Sequence, residues 1–320
     1  METRFLLPQE GNFYKANLHT HTVISDGKKT PEQIKADYMA HGYSVVAFTD
    51  HRQYRDHSAL SDQNFLAINA YEADINDWEP DHNYDRTYHI NLYAEDPSRV
   101  KLEDILLPER RYGDIHAINA FVAEMSRRGF LACYNHPYWS LQTCRDYEGL
   151  RGFFAMEIYN HGCEIDGLYG YNPQSYDEML RTGNRLFCVM TDDNHNAWPD
   201  GHPLSDSYGG FTMIKAPELS YPAVMNALRK GHFYSSMGPR IEALWLEGKT
   251  VHIRCSPVQK IYLKNAGRNC QYRVAGPGES VCEAAFPLKG NETYFRVDCQ
   301  DEMGRHACSN AYFLDDLFLK

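Results

Sequence analysis

The side chains best suited to bind metal ions in this chain lie at or near the ends of apolar, strand-like segments. A mixed set of imidazole and carboxylate ligands suits Zn²⁺, Mn²⁺ or Fe²⁺ better than Ca²⁺ or Mg²⁺. Nine residues share this placement: His19, His21, Asp26, His51, Glu72, His89, His136, Asp193 and His195. Because separate strands can deliver such side chains to one rim of a barrel, the pattern predicts a site for two or three divalent metal ions.

The first two of these residues are placed by local geometry alone. His19 and His21 are two residues apart in the strand-like segment 16–22, and the period of two of a β-strand directs both side chains to the same face. Five further apolar runs repeat this arrangement. They carry, in chain order, His51, Glu72, His89, His136, and Asp193 with His195. The repetition predicts that several strands converge on one site.

Two of the predicted ligands are less well defined by the sequence than the others. Asp26 lies in the loop segment TVISDGKK rather than in a strand. Asp192 directly precedes Asp193 and carries the same carboxylate, but the D-x-H spacing to His195 favours Asp193. We therefore predict Asp193 as the ligand.

The mixed histidine and carboxylate set predicts a hydrolase. Metal ions that share a carboxylate can lower the pKa of a bound water molecule to near neutrality and stabilise charge on substrate oxygens. Such hydrolysis needs no nucleophile from the protein. The predicted catalytic residues are His19, His21, Glu72, Asp193 and His195. A small-molecule phosphate ester is the expected substrate, because metal ions and a cationic side chain can share its oxygens.

Candidate substrate contacts lie in loops that follow predicted strands. The arginines of these loops are Arg52, Arg55, Arg145 and Arg240. Of the four, we favour Arg145 and Arg240 as partners of a phosphate group. His161 and His202 also lie near strand ends on the expected rim, so they are further candidates for contact with substrate.

The elements that must position these side chains alternate between strands and helices over the first 240 residues. Thr30 and Gln33 predict a capping box, Pro31 suits the first helical position, and Gly42 is expected to end the helix. A second helix is expected from about Asp114 to Gly129. A third carries the start signals Ser175 and Glu178 and the end signal Gly183. This alternation is typical of a parallel α/β barrel.

The pattern changes after about Met237. Short alternating runs separated by Gly, Pro and Asn turns follow, such as IEALWLEG, KIYLKN and ETYFRVDCQD. They predict a small antiparallel β domain resembling a sandwich. We therefore expect a hydrolase barrel over residues 1–237 and a β domain over residues 238–320.

Composition limits the remaining possibilities. The chain has 320 residues, 43% of them hydrophobic, and a net charge of −11. An acidic surface disfavours extended binding of nucleic acid or anionic membranes. No apolar run approaches the roughly 20 residues of a membrane span, and the N-terminus lacks the features of a signal peptide, so we expect a cytoplasmic protein. The nine cysteines include no C-x-x-C pair, which favours reduced thiols.

The ordered set H-x-H, TDH, Glu, His, NHP and D-x-H resembles the PHP (polymerase and histidinol phosphatase) superfamily of metal-dependent phosphoesterases. The resemblance covers roughly residues 12–237. The segment LRKGHFYSSMGPRIEAL and the β-rich tail are similar to the branch of this superfamily that includes carbaryl-hydrolase-like enzymes. The resemblance implies a distorted (β/α)7 TIM-like barrel with up to three metal ions at its C-terminal rim.

The resemblance also implies how the ligands are shared. One metal would be bound by His19, His21, Glu72 and Asp193. Glu72 would bridge to a second metal bound by His89 and His136. The third would be bound by Asp26, His51 and His195.

Two alternatives remain open at this point. The same metals could serve an ester, carbamate or amide hydrolase, which the resemblance of the tail suggests. The fold could also be a metal-stabilised binding module without catalysis. The sequence does not indicate the oligomeric state.

Overall fold

The computed structural model describes residues 3–77, 85–109 and 111–318. The helices are α1 (Pro31–Ala40), α2 (Ile115–Arg127), α3 (Cys144–Tyr147), α4 (His161–Gly167), α5 (Pro173–Arg181), α6 (Tyr221–Lys230) and α7 (Leu314–Phe318). The first ten strands are β1 (Thr3–Phe5), β2 (Asn12–Asn17), β3 (Val45–Phe48), β4 (Leu66–Asn76), β5 (Thr87–Ala94), β6 (Phe130–Tyr134), β7 (Ala155–Asn160), β8 (Phe187–Thr191), β9 (Phe211–Ala216) and β10 (Phe233–Ser236). The later strands are β11 (Ile241–Glu247), β12 (Thr250–Val258), β13 (Lys260–Asn265), β14 (Gln271–Val274), β15 (Val281–Pro287), β16 (Tyr294–Gln300), β17 (His306–Ser309) and β18 (Tyr312–Phe313). The predicted α/β class is confirmed.

The strands form two sheets. The larger sheet has 14 strands in the order β14-β13-β16-β17-β10-β9-β2-β3-β4-β5-β6-β7-β8, and β18 pairs with β16. The smaller sheet has the order β1-β11-β12-β15 and is antiparallel throughout. Strands after residue 237 pair antiparallel with one another, as their alternating pattern predicts. The larger sheet continues from β10 to β17, and the division at residues 237 and 238 stays a prediction.

The expected all-parallel arrangement is wrong for part of the larger sheet. β2, β3 and β4 are parallel neighbours, as are β6, β7 and β8. In contrast, β5 is antiparallel to β4 and β6, and β9 is antiparallel to β2. The segment 77–86 between β4 and β5 is shorter than the dozen or more residues that a parallel crossover needs. These two strands therefore pair antiparallel.

The larger sheet does not close into the barrel that we expected, as far as the described residues show. Both edges of β9 are hydrogen bonded, to β2 and to β10, so β9 has no free edge for β8. Thr212 of β9 contacts β8 instead: its hydroxyl donates to the Met190 carbonyl (3.1 Å) and accepts from the Met190 N–H (3.3 Å). At the rim, an isolated parallel bridge joins Thr20 to Asn194. The result is an open mixed sheet whose two sides meet at the rim.

Local signals place the helices around this sheet. The capping box of α1 forms, because Thr30 Oγ1 accepts from the Gln33 N–H (3.3 Å) and Gln33 Oε1 accepts from the Thr30 N–H (2.9 Å). Asp114 caps α2 as expected. The predicted start of α5 is wrong: the helix begins at Pro173 rather than after Ser175. Proline at the first helical position is preorganised for the helix, and this outweighs the serine signal.

A buried ion network connects α5 to β16. The guanidinium of Arg296 is fully buried and donates to both carboxylate oxygens of Asp177 (2.8 and 2.9 Å) and to Asp298 Oδ1 (2.6 Å). Lys264 Nζ lies 2.9 Å from Asp298 Oδ2. The network therefore fixes a helix of the first 237 residues to a strand of the tail.

None of the helices within the described ranges is long and apolar enough to cross a membrane.

Candidate metal centre

The nine predicted ligand residues converge at one end of the larger sheet, and we call them the ligand cluster. In the described part of the chain they form four groups whose ligand atoms lie within 4.8 Å of one another. The groups are His19, His21 and Glu72; His19, His136 and Asp193; His51, Glu72 and His89; and His21, Asp26, His51 and His195. Shared members join the four groups into a single cluster.

Strand direction explains how the histidines reach the cluster. His19 and His21 follow β2, and an isolated parallel bridge places His51, after β3, beside Glu72 of β4. His89 lies near the start of β5 rather than its end. Because β5 is antiparallel to β4, its start lies at the same rim as the ends of the parallel strands.

Glu72 lies at the centre of the cluster. Its Oε1 is 3.0 Å from His89 Nδ1, 3.3 Å from His19 Nε2 and 3.6 Å from His136 Nε2. Its Oε2 is 3.0 Å from His51 Nδ1 and 3.4 Å from His21 Nε2. One buried carboxylate thus faces five imidazole nitrogens. A single carboxylate cannot satisfy so many imidazoles by hydrogen bonding alone, whereas it can bridge cations that they bind.

Asp193 is the second shared carboxylate. Its Oδ1 is 3.1 Å from His19 Nε2 and 3.0 Å from His21 Nε2, and these two nitrogens are themselves 3.1 Å apart. Despite these short distances, neither Asp193 Oδ1 nor Glu72 Oε2 accepts a hydrogen bond of suitable geometry from the described residues, although both atoms are buried. Buried oxygens without partners are costly, and converging oxygen and nitrogen atoms are what a divalent cation requires. The residues therefore fit a metal site.

The charges of the cluster also favour a cation. Burial opposes protonation of His19, but the carboxylates of Asp193 and Glu72 outweigh it and raise the pKa of His19 well above its ordinary value. Burial likewise opposes ionisation of Glu72, but the neighbouring histidines lower its pKa well below its ordinary value. The carboxylates thus create a negative potential in which a divalent cation can replace a proton.

Asp192 and Asp193 have different environments, and the choice of Asp193 as the ligand stays a prediction that the surroundings of Asp192 favour. Asp192 is buried and accepts hydrogen bonds from the N–H groups of Tyr208 (2.8 Å) and Gly210 (2.9 Å) and from the Tyr38 hydroxyl (2.8 Å). Its lone pairs are therefore occupied away from the ligand cluster.

Two ligand positions have strained backbone. His136 and Asp193 have positive φ angles of 23° and 53°, which cost a non-glycine residue on the order of 1–3 kcal/mol. The His136 N–H donates to Glu157 Oε2 (3.1 Å) and the Asp193 N–H donates to the His19 carbonyl (2.9 Å). These bonds hold both side chains in the cluster.

The loop that carries Asp26 is fixed by Asp50. The Asp50 carboxylate accepts from the N–H of Thr22 (2.8 Å) and from the hydroxyl of Ser25 (2.9 Å). Asp26 is 53% exposed, and its Oδ1 lies 3.5 Å from His195 Nε2. Asp50 therefore orients the loop that carries Asp26.

Glu157 is a functional candidate that the sequence analysis missed. It is fully buried on β7, and its Oε1 accepts from His19 Nδ1 (2.7 Å) and from the Thr191 hydroxyl (2.7 Å). A proton held on Nδ1 leaves Nε2 of His19 free to bind a metal, an arrangement common behind metal-bound histidines. The available signal was a carboxylate inside the apolar run FFAMEIYN.

We expect Glu157→Gln to weaken metal binding by about 10- to 100-fold, the usual effect of losing a partner behind a histidine ligand. Competition with a chelating dye measures the dissociation constant directly. Glu283→Gln is the matched control, because Glu283 also lies on a strand but is exposed. Equal affinities for the wild type and Glu157→Gln would contradict the role of Glu157.

The four predicted substrate contacts are not joined to the ligand cluster by hydrogen bonds or ion pairs within the described ranges. Arg145 in α3 and Arg240 before β11 are exposed. His161 Nδ1 lies 2.8 Å from the Tyr159 hydroxyl, and His202 stacks on Trp198. Their roles stay predictions.

Arg52 is the arginine best placed at the rim. Its backbone N–H donates to the backbone carbonyl of Glu72 (2.7 Å), and its guanidinium forms an ion pair with the carboxylate of Asp74 (2.8 Å). Asp74 lies directly across from His89 in the β4–β5 pairing.

The cluster opens to solvent along one side. Asp26, His195, His51 and His89 have exposed side-chain fractions of 53%, 34%, 27% and 13%. In contrast, His19, His21 and Glu72 are fully buried. The mouth of the site therefore runs from Asp26 at one end to His89 at the other.

The sequence matches no protein-family model and no curated protein. Several solved structures are similar to the chain, and three of them illustrate the likeness. The first, a two-domain protein from Bacteroides vulgatus containing a predicted PHP-like metal-dependent phosphoesterase, shares 17% identity over 93% of both chains, with a TM-score of 0.48. A protein from Bifidobacterium adolescentis, provisionally described as a metal-dependent phosphoesterase, shares 15% identity over 63% of this chain and 94% of its own, with a TM-score of 0.35. An amidohydrolase from Chromobacterium violaceum with bound sulfate and no metal shares 14% identity over 56% and 87%, with a TM-score of 0.39.

Proposed function

We propose that the protein is a metal-dependent hydrolase of phosphomonoesters or small phosphodiesters. The observation that carries this proposal is the position of Glu72, whose buried carboxylate lies within 3.6 Å of five histidines. Histidines and shared carboxylates at one rim are the ligand types of multinuclear hydrolytic sites. Two or three ions of Zn²⁺, Mn²⁺ or Fe²⁺ fit this set.

The proposed ligand sets are those that the resemblance to the family implies. His19, His21, Glu72 and Asp193 would bind one metal. His89 and His136 would bind a second together with Glu72, and Asp26, His51 and His195 would bind a third. Most of the first set is enclosed by protein, since His19, His21 and Glu72 are fully buried and the Asp193 side chain is 12% exposed. The third lies at the mouth of the site, where water and substrate can reach it.

Metals bound there would act as Lewis acids that activate water and stabilise charge on the substrate oxygens. The residues of the chain prepare the site for this. Glu157 keeps a proton on His19 Nδ1, and Asn135 Nδ2 donates to Glu72 Oε1 (2.7 Å). Asn160 Nδ2 donates to Asp193 Oδ2 (3.0 Å). These bonds orient each carboxylate before substrate arrives, which avoids reorganisation during the reaction.

A phosphate group has oxygens enough for several metals and a cationic side chain. Arg52 is our candidate for that cation, because its backbone is bonded to Glu72 and its guanidinium lies on the same hairpin face as His89. Arg145 and Arg240 are less suitable, since both side chains are exposed and lack hydrogen bonds or ion pairs to the cluster in the described structure.

The ion pair of Arg52 with Asp74 favours a second candidate function, a metal-dependent ester, carbamate or amide hydrolase. Because Arg52 already forms an ion pair with Asp74, its guanidinium would have to divide its hydrogen bonds between this carboxylate and a bound phosphate. A substrate with an uncharged acyl group needs no such cation.

Turnover of a panel of esters separates these two functions. We expect p-nitrophenyl phosphate or bis-p-nitrophenyl phosphate to be hydrolysed at least about a hundredfold faster than by chelator-treated protein, with activity restored by Mn²⁺ or Zn²⁺. The acyl ester p-nitrophenyl acetate is assayed in parallel. Metal-dependent turnover of the acetate alone would favour the second function, and no metal-dependent turnover of either phosphate would refute the first.

A further inference from the structure

Aromatic and apolar side chains border the mouth of the site at its His89 end. We call Tyr138, Trp139, Leu168 and Tyr169 the aromatic rim. The ring of Trp139 lies 5.2 Å from that of His136 and 6.0 Å from that of His89, between ring centroids. Trp139 thus directly adjoins two members of the ligand cluster.

The aromatic rim is held in place before any ligand binds. Trp139 Nε1 donates to Asp166 Oδ2 (2.7 Å), and the rings of Tyr138 and Tyr169 contact edge to face at 5.1 Å. These contacts join the loop after β6 to α4 and the residues that follow it. A rigid aromatic side chain loses little conformational entropy when it binds a ligand.

Two side chains of the aromatic rim are exposed. Tyr138 is 50% exposed and Leu168 is 77% exposed. Single exposed apolar residues are common, but apolar side chains grouped beside a cleft are typical of binding surfaces. Within the described residues, the only charged side chain that is hydrogen bonded to Trp139 is the carboxylate of Asp166. This negative charge disfavours a ligand that carries another anionic group, besides the phosphate, at the aromatic rim.

We propose that the aromatic rim is a subsite for a planar aromatic group of the substrate that carries no negative charge. This inference rests on the proposed function for the position of the reacting group, which lies at the ligand cluster. A substrate anchored there and extending past His89 meets Trp139 next. The substrate class is therefore an ester with an aromatic group close to the bond that is cleaved.

Binding of matched phosphonates to the Mn²⁺-loaded protein tests this subsite by calorimetry. Benzylphosphonate and cyclohexylmethylphosphonate differ in whether the ring is planar and aromatic. We expect benzylphosphonate to bind about 3- to 10-fold more tightly, the range of one aromatic pair. We expect 4-carboxybenzylphosphonate to bind more weakly than benzylphosphonate.

Variants of Trp139 test whether this residue causes the preference for benzylphosphonate over cyclohexylmethylphosphonate. Trp139→Leu should bring the ratio of the two dissociation constants close to one, while Trp139→Phe should retain most of it. Trp245→Leu is the control, because Trp245 lies in the smaller sheet, stacked on His252. The melting temperature of each variant shows whether it is folded.

Failure of this inference is distinguishable from failure of the proposed function. A Trp139-dependent preference without turnover of any phosphoester supports the subsite and refutes the phosphoesterase. Turnover of phosphoesters with equal binding of both phosphonates, or with a preference that survives in Trp139→Leu, refutes the subsite. Binding of neither phosphonate also refutes it.

Discussion

Glu72→Gln is expected to lower metal-dependent turnover by about a thousandfold or more, equivalent to roughly 4 kcal/mol of transition-state stabilisation. The amide has the same size as the carboxylate but lacks its charge and one of its two acceptor oxygens. Since Glu72 faces five histidines, the change affects every metal that it bridges. We therefore also expect the number of bound metals per chain to decrease.

Two measurements check this result. The first is kcat/KM with the best phosphoester, and the second is metal content by elemental analysis after gel filtration. Glu247→Gln is the matched control, because Glu247 is an exposed strand residue with His252 at 3.5 Å. Unchanged turnover and metal content in Glu72→Gln would contradict the central role of this carboxylate.

Arg296→Met is expected to lower the free energy of unfolding by about 3–5 kcal/mol, the usual cost of removing one partner from a buried ion network. The change leaves Asp177 and Asp298 without the guanidinium that each contacts at 2.6–2.9 Å. Urea denaturation measures the loss. Arg254→Met is the control, since Arg254 forms an exposed pair with Glu242, and such pairs contribute about 0–1 kcal/mol. Equal losses for the two variants would contradict the network.

The same network predicts a dependence on pH. Burial alone would raise the pKa of Asp298, but Arg296 and Lys264 outweigh it and lower the pKa to about 2. A carboxylate with a lowered pKa stabilises the fold above its ordinary pKa, and this contribution is lost as the pH falls towards 2. The wild type should therefore lose stability more steeply than Arg296→Met between about pH 4 and pH 2. Parallel curves for the two proteins would contradict this assignment.

Local patterns predicted the parts of the site that depend on one segment. The H-x-H spacing predicted that His19 and His21 lie together, and their Nε2 atoms are 3.1 Å apart although both residues follow β2 rather than belong to it. The capping box of Thr30 and Gln33 forms as expected. The convergence of the nine predicted ligand residues also followed, because strand ends share a rim. The first two features need only a short segment of the chain.

Features that depend on pairing between distant segments could not be predicted. The antiparallel direction of β5 places His89 at the rim, and the pairing of β9 with both β2 and β10 prevents closure by β8. Glu157 was missed because its importance comes from the contact with His19, 138 residues away in sequence. No local pattern reports such a contact.

The bridge between Thr20 and Asn194 has a consequence for the response of the protein to metal supply. The bridge joins residues 19–21 to residues 193–195, and the flanking side chains His19 and Asp193 face each other across it. A cation bound by both would connect the two sides of the open sheet where no strand ladder does. Because only the folded chain brings these residues together, the stability gained would increase with the logarithm of free metal concentration above the dissociation constant. Metal availability would then set the persistence of the folded protein as well as its activity.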